Sequence, residues 1–206
     1  MTAMKSIEPD PPHGWRVVPF ADIRDRLATL STVAVDGRSS GGKTTFAARL
    51  AAAVDGAVVV HTDDIAWHQA VLDWAVLLAD GILRPHRDGA DVAYRPPQWE
   101  LRDRPGAITV PAAAPLLIIE GVGCARRELA GCYDATVWVQ SDQRLIDERT
   151  ARRVAAGEIS AADNQLWLAE ELPFQAAERT WERADLRVAG SPVLAFDPAS
   201  EIVVAR

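Results

Sequence analysis

The chain alternates between two hydrophobic rhythms. Phe20, Ile23, Leu27 and Leu30 recur at helical spacing and predict a helix over 20–30. Residues 32–35 are short, apolar and partly β-branched, and predict a buried strand. An alanine-rich helix is expected over 44–53 and a second strand over 57–60. Helical spacing returns over 71–83, with Gly81 near its end. The stretch 84–106 is rich in Arg, Pro and Gly and breaks the rhythm. Continuous apolar runs at 116–119 and 135–139 read as central parallel strands covered on both faces. A helix over 141–156, opened by a Ser141 cap, precedes a second helical stretch over 161–180 that Pro173 should interrupt. Late strands are expected at 186–189 and 202–204. Alternating strands and helices imply a parallel sheet with helices on both faces.

Between the first of these strands and the helix after it stands GRSSGGKTT, residues 37–45. Gly37, Gly42, Lys43 and Thr44 satisfy G-x-x-x-x-G-K-[ST] in full. With glycine at about 7% of average usage, a chance match in such a chain is on the order of one in a hundred. The chemistry needs this spacing. Glycine lets the backbone pass close to oxygen atoms, and successive N–H groups over Ser39, Ser40, Gly41 and Gly42 then form an anion nest. The helix start adds its positive end at Thr44 and Thr45. Lys43 would reach the β- and γ-phosphates of ATP, and the Thr44 hydroxyl would ligand Mg²⁺.

The surrounding residues narrow the kind of phosphate-loop protein. Asn164 is the one asparagine and Gln165 follows it, so no Asn-Lys-x-Asp guanine motif exists. The strand LLIIEGVG ends in Glu120 and Gly121, not in the Asp-Glu pair usual in mechanical ATPases. Glu120 suits an outer contact to magnesium-bound water. A small-molecule kinase remains.

DGRSSGGKTT, then HTDDIAWH, IIEGVG and RTARRVAAGE, resemble in order and spacing the uridine kinase-like family of P-loop phosphotransferases, with its nicotinamide riboside and pantothenate kinase-type relatives. The resemblance spans roughly residues 32–156. It implies an α/β P-loop NTPase fold: a three-layer α/β/α domain, a mainly parallel sheet of about five strands, and a helical lid over about 141–180. It implies transfer of the γ-phosphoryl group of ATP, with Mg²⁺, to a hydroxyl of a small metabolite. In this comparison Asp63 matches the acid that accepts the proton of the acceptor hydroxyl, while Asp64 reads as a cap or supporting group. Arg149 and Arg153, four apart on one helix face, resemble lid arginines; Arg152 would point elsewhere.

The acceptor pocket is expected between Asp63 and Gly106, from His68, Tyr94, Arg95, Trp99 and Arg104. Tyr and Trp suit a flat ring and Arg suits an anion, so the acceptor stays open. A nucleoside, a sugar and a vitamin are alternatives, as is a regulatory protein that binds ATP without metabolic turnover. Ile65 and Ala66 stand where uridine kinases carry aromatic residues. Arg179 and Trp181 are candidates beside the adenine. Trp167, Trp181 and Phe174 read equally well as core of a helical flap.

Composition adds limits. The net charge of −7 argues against broad nucleic-acid or anionic-membrane binding. No apolar run approaches a membrane span. Residues 1–14, rich in proline, read as a flexible leader to a single domain over 15–206, and without an apolar signal core the expected location is cytoplasmic. Cys124 and Cys132 read as reduced thiols. Lysine occurs only at Lys5 and Lys43, so the one lysine beyond the leader lies in the loop. A monomer or homodimer is expected.

Overall fold

The computed structural model describes residues 7–11, 13–191 and 194–205. Of the expected leader, residues 1–6 and 12 lie outside them. Within it, Glu8 is buried and accepts from Trp138 Nε1 at 3.1 Å.

The chain enters through β1 (Arg16–Pro19) and turns at once into α1 (Phe20–Leu27), whose Phe20, Ile23 and Leu27 are buried. β2 (Thr32–Gly37) is buried at every position and delivers the chain to the glycine-rich loop, which opens α2 (Lys43–Ala52). β3 (Val58–His61) runs directly into the short α3 (Thr62–Ala66).

The helix expected over 71–83 is broken. Leu72 takes a positive φ of 60°, so the helical course begins only at α4 (Ala75–Leu78). It widens into a π-helical turn (Ala79–Leu83) and closes as α5 (Arg84–Arg87). The reason for the glycine in that turn is a close approach: a Cβ on Gly81 would lie 2.5 Å from Cζ of Tyr94.

β4 (Val92–Tyr94), α6 (Pro97–Leu101) and β5 (Ile108–Val110) follow, the two strands pairing antiparallel as a small sheet of their own. Then come β6 (Leu117–Glu120), a 3₁₀ turn (Arg127–Cys132) and β7 (Ala135–Gln140). α7 (Gln143–Ala155) is capped by Asp142, which accepts from Arg144 N, and not by Ser141. Ser141 is spent elsewhere: its hydroxyl donates to Gly41 O at 2.6 Å.

α8 (Ala161–Glu178) runs through Pro173 without interruption; Glu171, buried two residues before it, is held by Ser39 N. α9 (Thr180–Arg183), β8 (Leu186–Ala189) and β9 (Glu201–Ala205) complete the chain.

The main sheet has the order β1-β9-β8-β7-β2-β6-β3. The strands from β8 to β3 are parallel, which makes the expected parallel sheet. Two further strands extend it on one side: β9 lies antiparallel to β8, and β1, at the edge, antiparallel to β9. β1 and the β4–β5 pair carry no long apolar run and were not expected.

Side chains alternate across this sheet into two cores. Val33, Val35, Leu116 and Ile118 face one, closed by α1 and α2. Ala34, Leu117 and Ile119 face the other, closed by residues 74–83 and the small sheet. Burial on both faces is why these strands read as unbroken apolar runs. Truncating Ile118 to Ala would cost about 2–5 kcal/mol. Among the described residues no helix is long and apolar enough to cross a membrane.

Candidate active site

The parallel strands end together, and the functional residues lie at their carboxyl ends, where open α/β sheets place ligands. Gly37 ends β2 against the backbone of β7: a Cβ there would meet Val139 O at 2.5 Å. Gly42 caps α2 at a φ of 98°, a left-handed conformation that leaves the first N–H groups of the helix directed outward. Lys43 is buried, and its Nζ donates to Arg38 O at 2.9 Å, so the lysine folds back across its own loop.

Residues 39–45 line a cavity of about 730 Å³. Asp63 and Glu120 stand on it from the ends of β3 and β6, and Arg149, Arg152 and Arg153 from α7. The Asp63 carboxylate is exposed and makes no hydrogen bond or ion pair with any described residue. Glu120 is buried, and its Oε2 accepts from His61 Nδ1 at 2.6 Å. That bond is the main reason the His61 imidazole titrates above its usual value.

The three arginines differ in commitment. Arg149 donates to Ser40 O at 3.1 Å and Gly190 O at 3.0 Å, which ties α7 to the phosphate loop. Arg153 pairs with Glu158. Arg152, expected to point away, lines the cavity and makes no hydrogen bond or ion pair among the described residues.

α8 roofs the same cavity. Its Glu171 is fully buried; one oxygen accepts from Ser39 N at 2.7 Å and the other from Trp167 Nε1 at 3.0 Å. Arg38, in the second position of the loop, is also buried. It donates to Gln143 of α7, and its Nε lies 3.9 Å from Glu171. One loop residue thus contacts both lid helices. Thr150 Oγ1 donates to Ser40 Oγ at 3.1 Å, a further link between lid and loop.

The expected acceptor residues are not brought to this cavity. Trp99 is buried, and its Nε1 donates to Asp64 O at 2.8 Å. Arg104 covers the Trp99 ring at 3.7 Å and pairs with Asp64 at 2.6 Å, so Asp64 is a structural anchor. Arg95 donates to Gly106 O. Tyr94 lies over Gly81 and faces a separate cavity of about 360 Å³. His68, at a φ of 57°, is exposed and sets its ring edge-on to Trp67 at 4.4 Å. Arg179 takes the left-handed turn between α8 and α9 and pairs with Glu182; it does not line the cavity. Trp181 is core, packed edge-on to Trp138 at 5.5 Å.

Asp36, Glu171 and Arg126 escaped sequence reasoning. Asp36 is fully buried at the end of β2 and accepts from Gly37 N (2.7 Å), Gly123 N (2.8 Å) and Ala125 N (3.1 Å). It clamps the start of the phosphate loop to the loop after β6. Burial pushes its carboxyl up to about 6, against the pull of those three donors. An acid directly before the first loop glycine was a usable signal. Arg126 is buried between the rings of Trp74 (4.3 Å) and Phe174 (4.9 Å) and donates to Leu72 O. No sequence signal marks it.

No protein-family model matches the chain, and no curated protein matches it. Similar solved structures include two that cover most of the chain. One is described as a possible uridine kinase from Bacillus stearothermophilus: TM-score 0.48, 20% identity, covering 82% of this chain and 98% of that one. The other, from Silicibacter sp. TM1040, is assigned as a fructose transport system kinase: TM-score 0.46, 21% identity, covering 80% and 91%. At these scores neither bears on activity.

Proposed function

We propose that the protein is an ATP-dependent phosphotransferase that moves the γ-phosphoryl group to a hydroxyl of a small metabolite. The observation that carries this is one cavity holding the phosphate loop, the uncommitted Asp63 carboxylate and the α7 arginines. A loop that only held nucleotide would not need a free acid beside it.

The loop amides and Lys43 would bind the β- and γ-phosphates, Lys43 exchanging the Arg38 carbonyl for phosphate oxygen. The donor set fits magnesium. The Thr44 hydroxyl is exposed at the first turn of α2 with no hydrogen bond to a described residue, and Glu120 presents a carboxylate to the same cavity. The Thr44 hydroxyl is a hard oxygen ligand, and Glu120 suits an outer contact to magnesium-bound water. Bound there, magnesium would supply charge neutralisation on the phosphates.

Asp63 would accept a hydrogen bond from the acceptor alcohol and aim its oxygen at the γ-phosphorus. A bond forms from that oxygen to phosphorus as the bond from phosphorus to the β,γ-bridging oxygen breaks. The alcohol proton leaves by way of Asp63, and ADP departs. Arg152, which pairs with no described residue, and Arg149 would stabilise charge on the transferring group.

The test is acceptor-stimulated ADP formation, with the product phosphate monoester followed by ³¹P NMR. The account expects one monoester per ADP. Nucleotide hydrolysis that no hydroxyl compound accelerates would refute it.

A further inference from the structure

Resting on that reading, we infer that His61 is a positioning residue: its bond to Glu120 keeps that carboxylate turned into the cavity, toward the water shell of the bound magnesium ion. The two acids at the strand ends differ in freedom. Asp63 is exposed and has no described partner, so its side chain can follow the alcohol it meets. Glu120 is buried, and His61 is its one described side-chain partner. A carboxylate can only accept, so Nδ1 is the ring nitrogen that donates, to Oε2 at 2.6 Å.

The sheet dictates this pairing. β3 and β6 run parallel, and His61 and Glu120 are register partners at the last positions of the two strands, so their side chains leave the sheet on the same face. One residue further on, the two chains lock together. A Cβ on Gly121 would overlap Thr62 Oγ1, and Thr62 is buried in the space that the glycine leaves. The strand ends therefore keep a fixed spacing, and the half-buried imidazole reaches Glu120 from a backbone that cannot drift.

The tether decides what Glu120 can do. His61 holds one oxygen; the other bonds to no described residue, and Glu120 lines the cavity together with the loop and Thr44. Without its donor the held oxygen would be buried and unsatisfied, and the side chain would turn to another rotamer. A contact to metal-bound water needs its acid in one place, because the ion fixes where that water stands. Of the two acids, Glu120 is built for that constant partner, and Asp63 is left for the acceptor.

Calorimetry with a non-hydrolysable ATP analogue, run with magnesium and with EDTA, gives the enhancement of affinity that the ion brings. In His61→Leu that enhancement should fall roughly tenfold, while affinity in EDTA stays within about twofold. His61→Asn carries its amide N–H where Nδ1 stands and should restore most of the enhancement. Glu120→Ala should lose at least as much as His61→Leu, and the double variant no more than Glu120→Ala alone. Thermal melting checks each variant; should His61→Leu not fold, His61→Gln takes its place, its amide lying one bond too far out. Native enhancement in the His61→Leu or His61→Gln protein, failure of Asn to restore it, equal losses with magnesium and in EDTA, or losses that add to those of Glu120→Ala would overturn the inference and leave phosphotransfer standing. So would analogue binding to the native protein that magnesium does not enhance. A native protein that binds no analogue in either buffer would remove the phosphotransfer reading, and this inference with it.

Discussion

The two walls of the cavity were written in different languages. The loop wall is mostly backbone: Gly37, Gly42 and the amides between them act through dihedral angles and N–H direction. Such chemistry depends on residue type at fixed spacing, so it survives translation into a linear pattern. The acceptor wall is mostly side chain, and a side chain's role depends on which neighbour claims it first. Trp99 and Arg104 carry the right chemistry for a ligand, yet each satisfies the other and Asp64. Trp167, in a stretch that read equally as flap core, faces the cavity because Glu171 holds its N–H.

That contrast can be broken by mutation, and the largest effect should come where the walls meet. Asp63→Asn keeps shape and removes the carboxylate. Turnover should fall by about 10²–10⁴-fold, while Mg·ATP affinity from calorimetry stays within about twofold. Parallel loss of both would make Asp63 part of the nucleotide site.

Glu171→Ala tests the latch between lid and loop. It leaves the Ser39 amide and the Trp167 indole without their acceptor and should cost about 1–3 kcal/mol by chemical denaturation. Glu171→Gln, which keeps one acceptor oxygen, should cost less. Equal costs for the two would show that charge toward Arg38, not hydrogen bonding, holds the lid.

On the far wall, Trp99→Phe removes the donor to Asp64 O and should cost about 1 kcal/mol of stability without changing the acceptor KM. A large KM change would return Trp99 to the acceptor pocket.

The smallest effect concerns His61. Pairing with Glu120 raises its pKa in the folded state above about 6.5, the value expected when unfolded. Its stabilisation is then fully present below that value and lost as pH rises through the folded pKa. The melting temperature of the protein should exceed that of His61→Leu most clearly near pH 6, the gap closing in alkaline buffer. A gap independent of pH would mean that the ring contributes only packing.

How much of this was legible in advance follows the same division. The five parallel strands, the loop and the lid helices were readable because burial on both sheet faces and helical spacing leave periodic marks. β1 was not, since Arg16–Pro19 has only partial burial and gains its place by pairing with β9 at the other end of the chain. The break near Leu72 depends on a positive φ in a residue type that gives no warning. Pro173 misled in the opposite direction: the rule that proline ends helices is local, and α8 continues through it with Glu171 bonded to Ser39 N and Trp167 Nε1. At the site, Asp63 and Glu120 line the cavity with the loop because β3 and β6 end beside it. Arg152 was placed wrongly because helical spacing alone cannot say which of three neighbouring arginines will be claimed by a carbonyl or an acid.

The most direct test of the central claim is a calorimetric titration of the protein with a non-hydrolysable ATP analogue and magnesium, run beside Lys43→Ala. The account predicts one saturable site per chain in the native protein, abolished or weakened at least tenfold by the substitution, with both proteins melting as folded domains. No binding to the native protein at millimolar analogue, or equal binding by the two, would contradict it.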